Sequence, residues 1–376
     1  MKELITELEN EIKKANKKIT LKNIKLNTNI YTTKNNYYED LVNLSRAFNK
    51  LFNNSNNTNI LNCYITDNEN IFSKASICLN KKTLISTEGI NNFNEATHNT
   101  SLAKCSDDYN YYIMRCYEYF IYLFDKVNKR CYMIIKNNKK ALTMINILLL
   151  TPYLMYGELY AVHGGLVNKN SRNILINNSS LGGKTTFAIL FANNGWDIIT
   201  EETTYIKKTG EILSYNIRNY FNIRVGTYLN FKDYFKEKGI VINKFLNLKE
   251  KSALELFEEG KKDQESIDFS TIGTFKELEK KTISTSLKVS IQKNQKFLIT
   301  KCSSSENVNS FLDLSLAPTV LLFKELLNYN NINKIERKKQ LEKIFANTDS
   351  YKIVSGFDYR ERFSEIIKTI SKKNIH

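Results

Sequence analysis

The sequence predicts an α/β fold: a β-rich N-terminal lobe over residues 1–140, then an α/β domain over 141–376. That domain carries an insertion at about 232–285 and ends in a helical segment. Three observations predict it. An apolar run, Ile174-Leu175-Ile176, leads through a glycine-bearing stretch into a helix-like run, Phe187 to Ala192. A strand-like run, Trp196 to Thr200, follows one short helix later. Before residue 140, short strand-like runs dominate.

Taken in order, residues 1–22 read as an amphipathic helix with Leu4, Ile5, Leu8 and Ile12 on one face. Its acidic residues come early and its lysines late, as the helix dipole prefers. Residues 38–53 repeat the pattern, and 53–59 form a polar loop. Strands are expected at Ile60–Thr66, Ile71–Leu79, Lys82–Thr87, Tyr111–Phe124 and Arg130–Ile135. Ala141–Tyr156 is apolar but shorter than a membrane span and contains Asn146 and Pro152, so a buried core helix is expected. Leu159–Val167 reads as one buried strand interrupted by His163 and two glycines, followed by a hairpin turn at Lys169–Arg172. Further strands are expected at Tyr220–Val225, Phe297–Thr300 and Tyr351–Val354. Helices are expected at Leu316–Leu327, with Pro318 in its first turn, at Lys334–Phe345 and at Tyr359–Ser371. Residues 232–285 are charged and poorly patterned, as in a lid or a peptide-binding insertion.

Asn178-Ser179-Ser180-Leu181-Gly182-Gly183-Lys184-Thr185 follows the pattern G-x-x-x-x-G-K-[ST], with Asn178 at the first glycine position. In such a loop backbone N–H groups surround phosphates and the next helix points its positive end at them. Lys184 would reach the terminal phosphates, and Thr185 would hold Mg²⁺. Asparagine enters left-handed backbone angles more readily than other non-glycine residues, so the turn survives the replacement. The plainer alternative is an ordinary strand-to-helix turn. Glu201-Glu202 closes the next strand. A parallel strand beside the loop-bearing one would bring both carboxylates to the phosphates, since ligands of open α/β sheets sit at carboxyl strand ends. One would hold Mg²⁺ and the other accept a proton from a hydroxyl. The alternative is a pair of exposed glutamates. His163, one of three histidines in the chain, precedes the strand that runs into the loop; a satisfied core histidine is the alternative there.

These elements together resemble the catalytic core of HPr kinase/phosphorylase and its relatives, which have a PEP carboxykinase-like fold. The resemblance runs through His163-Gly164-Gly165-Leu166-Val167, the Lys169–Arg172 turn, the Asn178–Thr185 loop, Gly195 and Glu201-Glu202. It covers residues 163–206 and is closest to the HPr kinase-like proteins found with ribosomally made, modified peptides. It implies ATP and Mg²⁺ as cofactors and phosphoryl transfer to a serine or threonine hydroxyl on a peptide or protein. It implies catalytic roles for His163, Lys184, Glu201, Glu202 and Arg218, the last as the basic residue of a strand at Asn216–Phe221. It implies nucleotide contacts from Asn178, Ser179, Ser180, Gly182, Gly183, Lys184, Thr185 and Thr186, and metal contacts from Thr185, Glu201 and Glu202. The chain departs from the family at Asn178 and Leu181, which stand for glycines, and at Glu201-Glu202, which stands for two aspartates. The long glycine-rich signature after the acidic pair is missing, so neither HPr as substrate nor the reverse phosphorolysis is expected. A nucleotide-binding regulatory module and a kinase for a small hydroxylated molecule such as serine are the alternatives.

Composition sets the remaining bounds. The 376 residues suffice for two domains, and 42% hydrophobic with 12% aromatic residues support a core. The net charge is +16, but the lysines are scattered, with no basic stripe interleaved with aromatics. Specific nucleic-acid binding is therefore not expected; the charge would steer ATP or an acidic peptide. Six cysteines lack Cys-x-x-Cys or zinc spacing, and the charged first residues do not read as a signal peptide. Reduced thiols in a cytoplasmic protein with no membrane partner are expected. A homo-oligomer is left open.

Overall fold

The computed structural model describes residues 2–22, 27–32, 35–52, 60–80, 100–104, 111–116, 119–125, 127–136, 141–155, 157–178, 183–246, 255, 263–292, 295–309 and 334–371. The expected loop at 53–59, strand at 82–87 and helix at 316–327 lie outside them, as do Ser179, Ser180, Leu181 and Gly182. The described residues are mixed α/β and fall into two compact units, divided between residues 156 and 157.

The first unit holds helices α1 (Lys2–Ile12), α2 (Asn35–Leu51), α3 (Glu69–Asn80) and α4 (Ala141–Met155). Its strands are β1 (Lys17–Leu21), β2 (Asn27–Thr32), β3 (Ile60–Thr66), β4 (Thr100–Lys104), β5 (Tyr111–Cys116), β6 (Phe120–Asp125) and β7 (Arg130–Ile135). They form one mixed sheet in the order β1-β2-β3-β7-β6-β5-β4. β6 is buried along its whole length. Its Ile121 and Leu123 pack with Leu4, Leu8, Phe72 and Ala75 of α1 and α3. Tyr122, pointing the other way as strand alternation requires, donates to the Met144 carbonyl of α4 at 2.9 Å.

Several expectations are corrected here. Ile71–Leu79 is helix α3, not a strand; Ile71, Phe72, Ala75 and Leu79 bury one helical face, and Asn68 Oδ1 accepts from the N–H groups of Asn70 and Ile71 as a cap. Residues 1–22 divide into α1 and β1, and Tyr111–Phe124 into a pair of antiparallel strands. The helix expected to open the second domain belongs to the first unit. Its Tyr153 ring lies 4.5 Å from that of Phe48, and its hydroxyl lies 3.2 Å from that of Thr28.

The second unit contains strands β8 (Leu159–Val162), β9 (Gly164–Lys169), β10 (Arg172–Asn177), β11 (Asp197–Thr200), β12 (Thr204–Lys207), β13 (Tyr220–Arg224), β14 (Gln264–Asp268), β15 (Thr285–Ile291), β16 (Leu298–Lys301) and β17 (Asp349–Ser355). Its helices are α5 (Lys184–Asn193), α6 (Val225–Asn230), α7 (Lys232–Glu237), α8 (Asn243–Leu246), α9 (Ser304–Asn309), α10 (Lys334–Phe345) and α11 (Phe363–Ser371). The main sheet runs β11-β9-β10-β15-β17-β16. Strands β10, β15 and β17 are parallel, and β9 is antiparallel to both β10 and β11.

Both faces of this sheet are covered. Ile174 and Ile176 of β10 join a core with Phe187–Phe191 of α5, Phe235 of α7 and Ile366 of α11. Leu175, between them, joins Val162, Ile206, Leu341 and Phe345 on the other face. This period of two explains why β10 reads as a continuous apolar run: it is buried on both sides. Asn170 and Ser171, with φ of 48° and 60°, make the expected two-residue β9–β10 hairpin, whose primed turn matches strand twist.

The structure differs from the sequence reading at three places. Leu159–Val167 is two strands, β8 and β9, broken at His163, with β8 paired to β12 in a separate ribbon. β11 runs in the same direction as β10 but not beside it, because β9 lies between them. The 232–285 stretch is not a bare insertion: its β14 pairs with β13, and Phe235, Phe245 and Phe269 enter the core. Among the described residues no helix is long and apolar enough to cross a membrane. Cys63, Cys78, Cys131 and Cys302 are free thiols; Cys105 and the Cys116 side chain lie outside the described residues.

Candidate active site

Three chain segments meet at one edge of the main sheet: the carboxyl ends of β10 and β11, and the start of β9. Gly164 opens β9 opposite Asn177. A Cβ on Gly164 would sit 2.8 Å from the Ile176 carbonyl oxygen, so only glycine allows this approach. Asn178 does not adopt the left-handed conformation expected for it. Its side-chain amide instead donates to the Val289 carbonyl of β15, which ties the end of β10 to the neighbouring strand.

Gly183 caps α5 in the left-handed region, with φ 95°. An added Cβ there would fall 2.7 Å from Ile291 Cδ1. Gly183→Ala is therefore expected to destabilise the protein by about 2 kcal/mol, from left-handed strain plus the displaced isoleucine. Urea denaturation checks this; an unchanged midpoint would refute the strained cap.

Lys184 begins α5 and turns its ammonium inward. Nζ lies 2.7 Å from His163 Nε2 and donates to the Asn178 carbonyl at 3.0 Å. Burial lowers the Lys184 pKa. Burial first, and the Lys184 charge second, bring His163 down to about 4. The imidazole is thus neutral at pH 7, and its Nε2 accepts from the ammonium. The ring also hydrogen-bonds to the Glu202 backbone. The break between β8 and β9 brings His163 to this position, where the ring is half-buried.

Glu201 follows a bulge between β9 and β11. Two buried threonines fix that turn: Thr200 Oγ1 lies 2.7 Å from Thr204 Oγ1 and accepts from Leu166 N at 3.1 Å, and Thr204 Oγ1 donates to the Gly164 carbonyl at 2.8 Å. Glu201 Oε1 accepts from the Thr185 hydroxyl at 3.4 Å. Its Oε2 is buried with no hydrogen-bond partner among the described residues. Burial first, and the neighbouring Glu202 second, push the Glu201 carboxyl up to about 7.

Glu202 has φ 60°, and Thr203 N donates to the Glu201 carbonyl at 2.7 Å across it. A three-residue turn with positive φ at glutamate stores on the order of 1–3 kcal/mol, strain typical of functional sites. Glu202 is half-buried and forms an ion pair with Arg218. Asn216 joins the acidic turn to that arginine: its Oδ1 accepts from Glu201 N at 2.8 Å, and its amide donates to the Arg218 carbonyl. Arg218 precedes β13 rather than lying within a strand. Thr186 is buried, its hydroxyl 2.8 Å from that of Thr227 on α6.

The structure thus brings together His163, Asn178, Lys184, Thr185, Glu201, Glu202 and Arg218. Sequence reasoning missed Asn216 and Arg224. The Arg224 guanidinium is half-buried and acts electrostatically on both Glu202 and Lys184. A basic residue ending the strand after the acidic pair was its only sequence signal; Asn216 lies in irregular chain and had none. No cluster of three or more His, Cys, Asp or Glu side chains among the described residues could hold a metal ion. Neither the comparison with protein-family models nor that with curated proteins yields a match.

Proposed function

We propose that the chain is an ATP-dependent phosphotransferase with the architecture of an HPr kinase-like P-loop enzyme, and that its acceptor is a serine or threonine hydroxyl on a peptide or protein. The observation that carries this reading is the convergence of a helix-starting lysine, a neutral histidine and two adjacent carboxylates of unlike environment at one strand edge. Environments that separate two carboxylates favour different roles for them.

Thr185 and Glu201 fit Mg²⁺: Glu201 Oε2 is a buried oxygen without a partner among the described residues, and its other oxygen faces the Thr185 hydroxyl. Magnesium needs only one or two such protein ligands. When bound, the ion would neutralise phosphate charge. Lys184, at the start of α5, supplies a second positive charge to the terminal phosphate. His163 holds the Lys184 ammonium in line without adding charge. Glu202, the more accessible carboxylate, takes the proton of the acceptor hydroxyl. The hydroxyl oxygen then bonds to the γ-phosphorus as the bond from phosphorus to the ADP oxygen breaks. Arg218 orients Glu202 and offers a cation to the transferring group.

The direct test is transfer of γ-phosphate from Mg·ATP to a mixture of Ser/Thr peptides, with products identified by mass spectrometry. A phosphopeptide is the expected product. A phosphorylated small molecule would change the acceptor class, and intact ATP binding without transfer to any acceptor would reject the enzyme.

A further inference from the structure

The second unit contains a cleft of about 740 Å³ that plays no part in the site above. Arg172, Thr285 and Asp349 line it, and they are the first residues of β10, β15 and β17. It therefore opens at the amino ends of the parallel strands, whereas the acidic pair lies at their carboxyl edge. Five residue steps along β10 separate the two, about 17 Å. Its volume is in the range of small-ligand sites, roughly 300–1,000 Å³.

The side chains that line the cleft are mostly cationic, although Glu211 and Glu279 accept from two of its hydroxyls, those of Thr209 and Ser171. Arg172, Lys208, Lys280 and Lys343 line it, against a single carboxylate, Asp349. Asp349 lies 3.6 Å from Lys301, and Lys208 lies 3.1 Å from the buried Glu158. Lys280 and Lys343 have no carboxylate partner among the described residues, and Arg172 has none within ion-pair distance, although Asp349 acts on it electrostatically. Among the described residues the half-buried Arg172 guanidinium donates to neutral acceptors: Ser371 Oγ at 2.7 Å, Thr285 Oγ1 at 3.5 Å and the Ile370 carbonyl.

Capping the carbonyl end of α11 accounts for Arg172 alone. It does not account for two lysines from separate segments, the loop before β15 and the last turn of α10, converging on the same concavity. An exposed lysine is well solvated by itself, but several cations around one concave wall raise the local potential for an anion. Of the hydroxyls at the same cleft, Thr209 donates to Glu211 Oε2 at 3.0 Å and Ser284 to the Asn173 carbonyl at 2.7 Å, so Thr282 is the one that adds a donor among these three.

We propose that this cleft is a second ligand site, one that binds a multivalent anion through phosphate or carboxylate groups. It does not depend on the phosphotransferase reading.

Calorimetric titration of the full chain tests it, with sodium tripolyphosphate in one arm and hexaglutamate in the other. The Lys184→Ala variant serves as host, so that the loop before α5 does not supply the signal. One equivalent of anion is expected to bind, and Lys280→Glu/Lys343→Glu is expected to weaken binding about tenfold or more. The milder Lys280→Gln/Lys343→Gln pair guards against a folding defect in the charge-reversed protein. Binding of tripolyphosphate alone would assign a phosphate-bearing ligand, and binding of hexaglutamate alone an acidic peptide; either supports the site. No binding in either arm, or an affinity unchanged in both double variants, would overturn it. Loss of phosphoryl transfer bears only on the other end of the sheet, so the two readings fail separately.

Discussion

Lys184→Ala is expected to lower phosphoryl transfer from Mg·ATP by about a hundred- to a thousandfold, the usual cost of removing one preorganised charge from a transferring group. Lys184 Nζ is already aimed, through His163 and the Asn178 carbonyl, at the edge where β10 and β11 end. The fold should survive the change. The core contribution of α5 comes from Phe187–Phe191, one turn further on, and alanine is a strong helix former. A partly desolvated ammonium is also removed, which offsets the unpartnered His163 nitrogen. Steady-state ADP release and thermal melting of the same preparation measure both halves of this expectation. Turnover at the wild-type level would sink the proposed chemistry.

Glu201→Gln is expected to stabilise the folded chain at pH 8 while abolishing transfer. The Glu201 carboxyl stands at about 7 in the folded protein against 4.5 when unperturbed, chiefly through burial. Below pH 4.5 it is protonated in both states and favours neither. Between 4.5 and 7 the unfolded chain releases a proton that the folded chain retains, so stability falls as pH rises. Above 7 the loss is complete, on the order of 3 kcal/mol. Glutamine removes that loss, so the variant should gain at pH 8 and match the wild type near pH 4. His163 works in the opposite direction. Its folded pKa of about 4 against 6.5 makes the protein lose stability as pH falls from 6.5 towards 4. Paired urea titrations at pH 4, 6 and 8 read the difference directly. No gain at pH 8 would mean that Glu201 is not desolvated.

The strand-turn-helix around Lys184 was legible in the sequence because its signals are local: the β10 apolar run, Gly183 at a left-handed cap and the buried α5 run. The acidic pair at the end of β11 was legible for the same reason. Its neighbour was not, because strand order depends on pairing between separate segments, and nothing near Trp196 shows that β9 would lie between β10 and β11. At residues 71–79 β-branched and aromatic side chains outweighed the helical spacing of Ile71, Ala75 and Leu79, although Asn68 and Glu69 marked a helix start. Asn178 shows another limit. Its resemblance to a turn glycine pointed to backbone freedom, whereas the structure uses its side chain to hold β15.

Strand β9 has a consequence for how the site assembles. It pairs with both β10 and β11, so His163, Lys184 and Glu201 are positioned by contacts made within about forty residues of chain. Short-range pairing of this kind closes small loops at low entropic cost and raises the speed of ordering. The long-range step is the docking of β15, more than a hundred residues from β10, against Asn178 and Gly183. Topology therefore favours an order of events in which the hairpin and the acidic turn form early and β15 joins late. Closure of the Gly183 cap against Ile291 belongs to that late step.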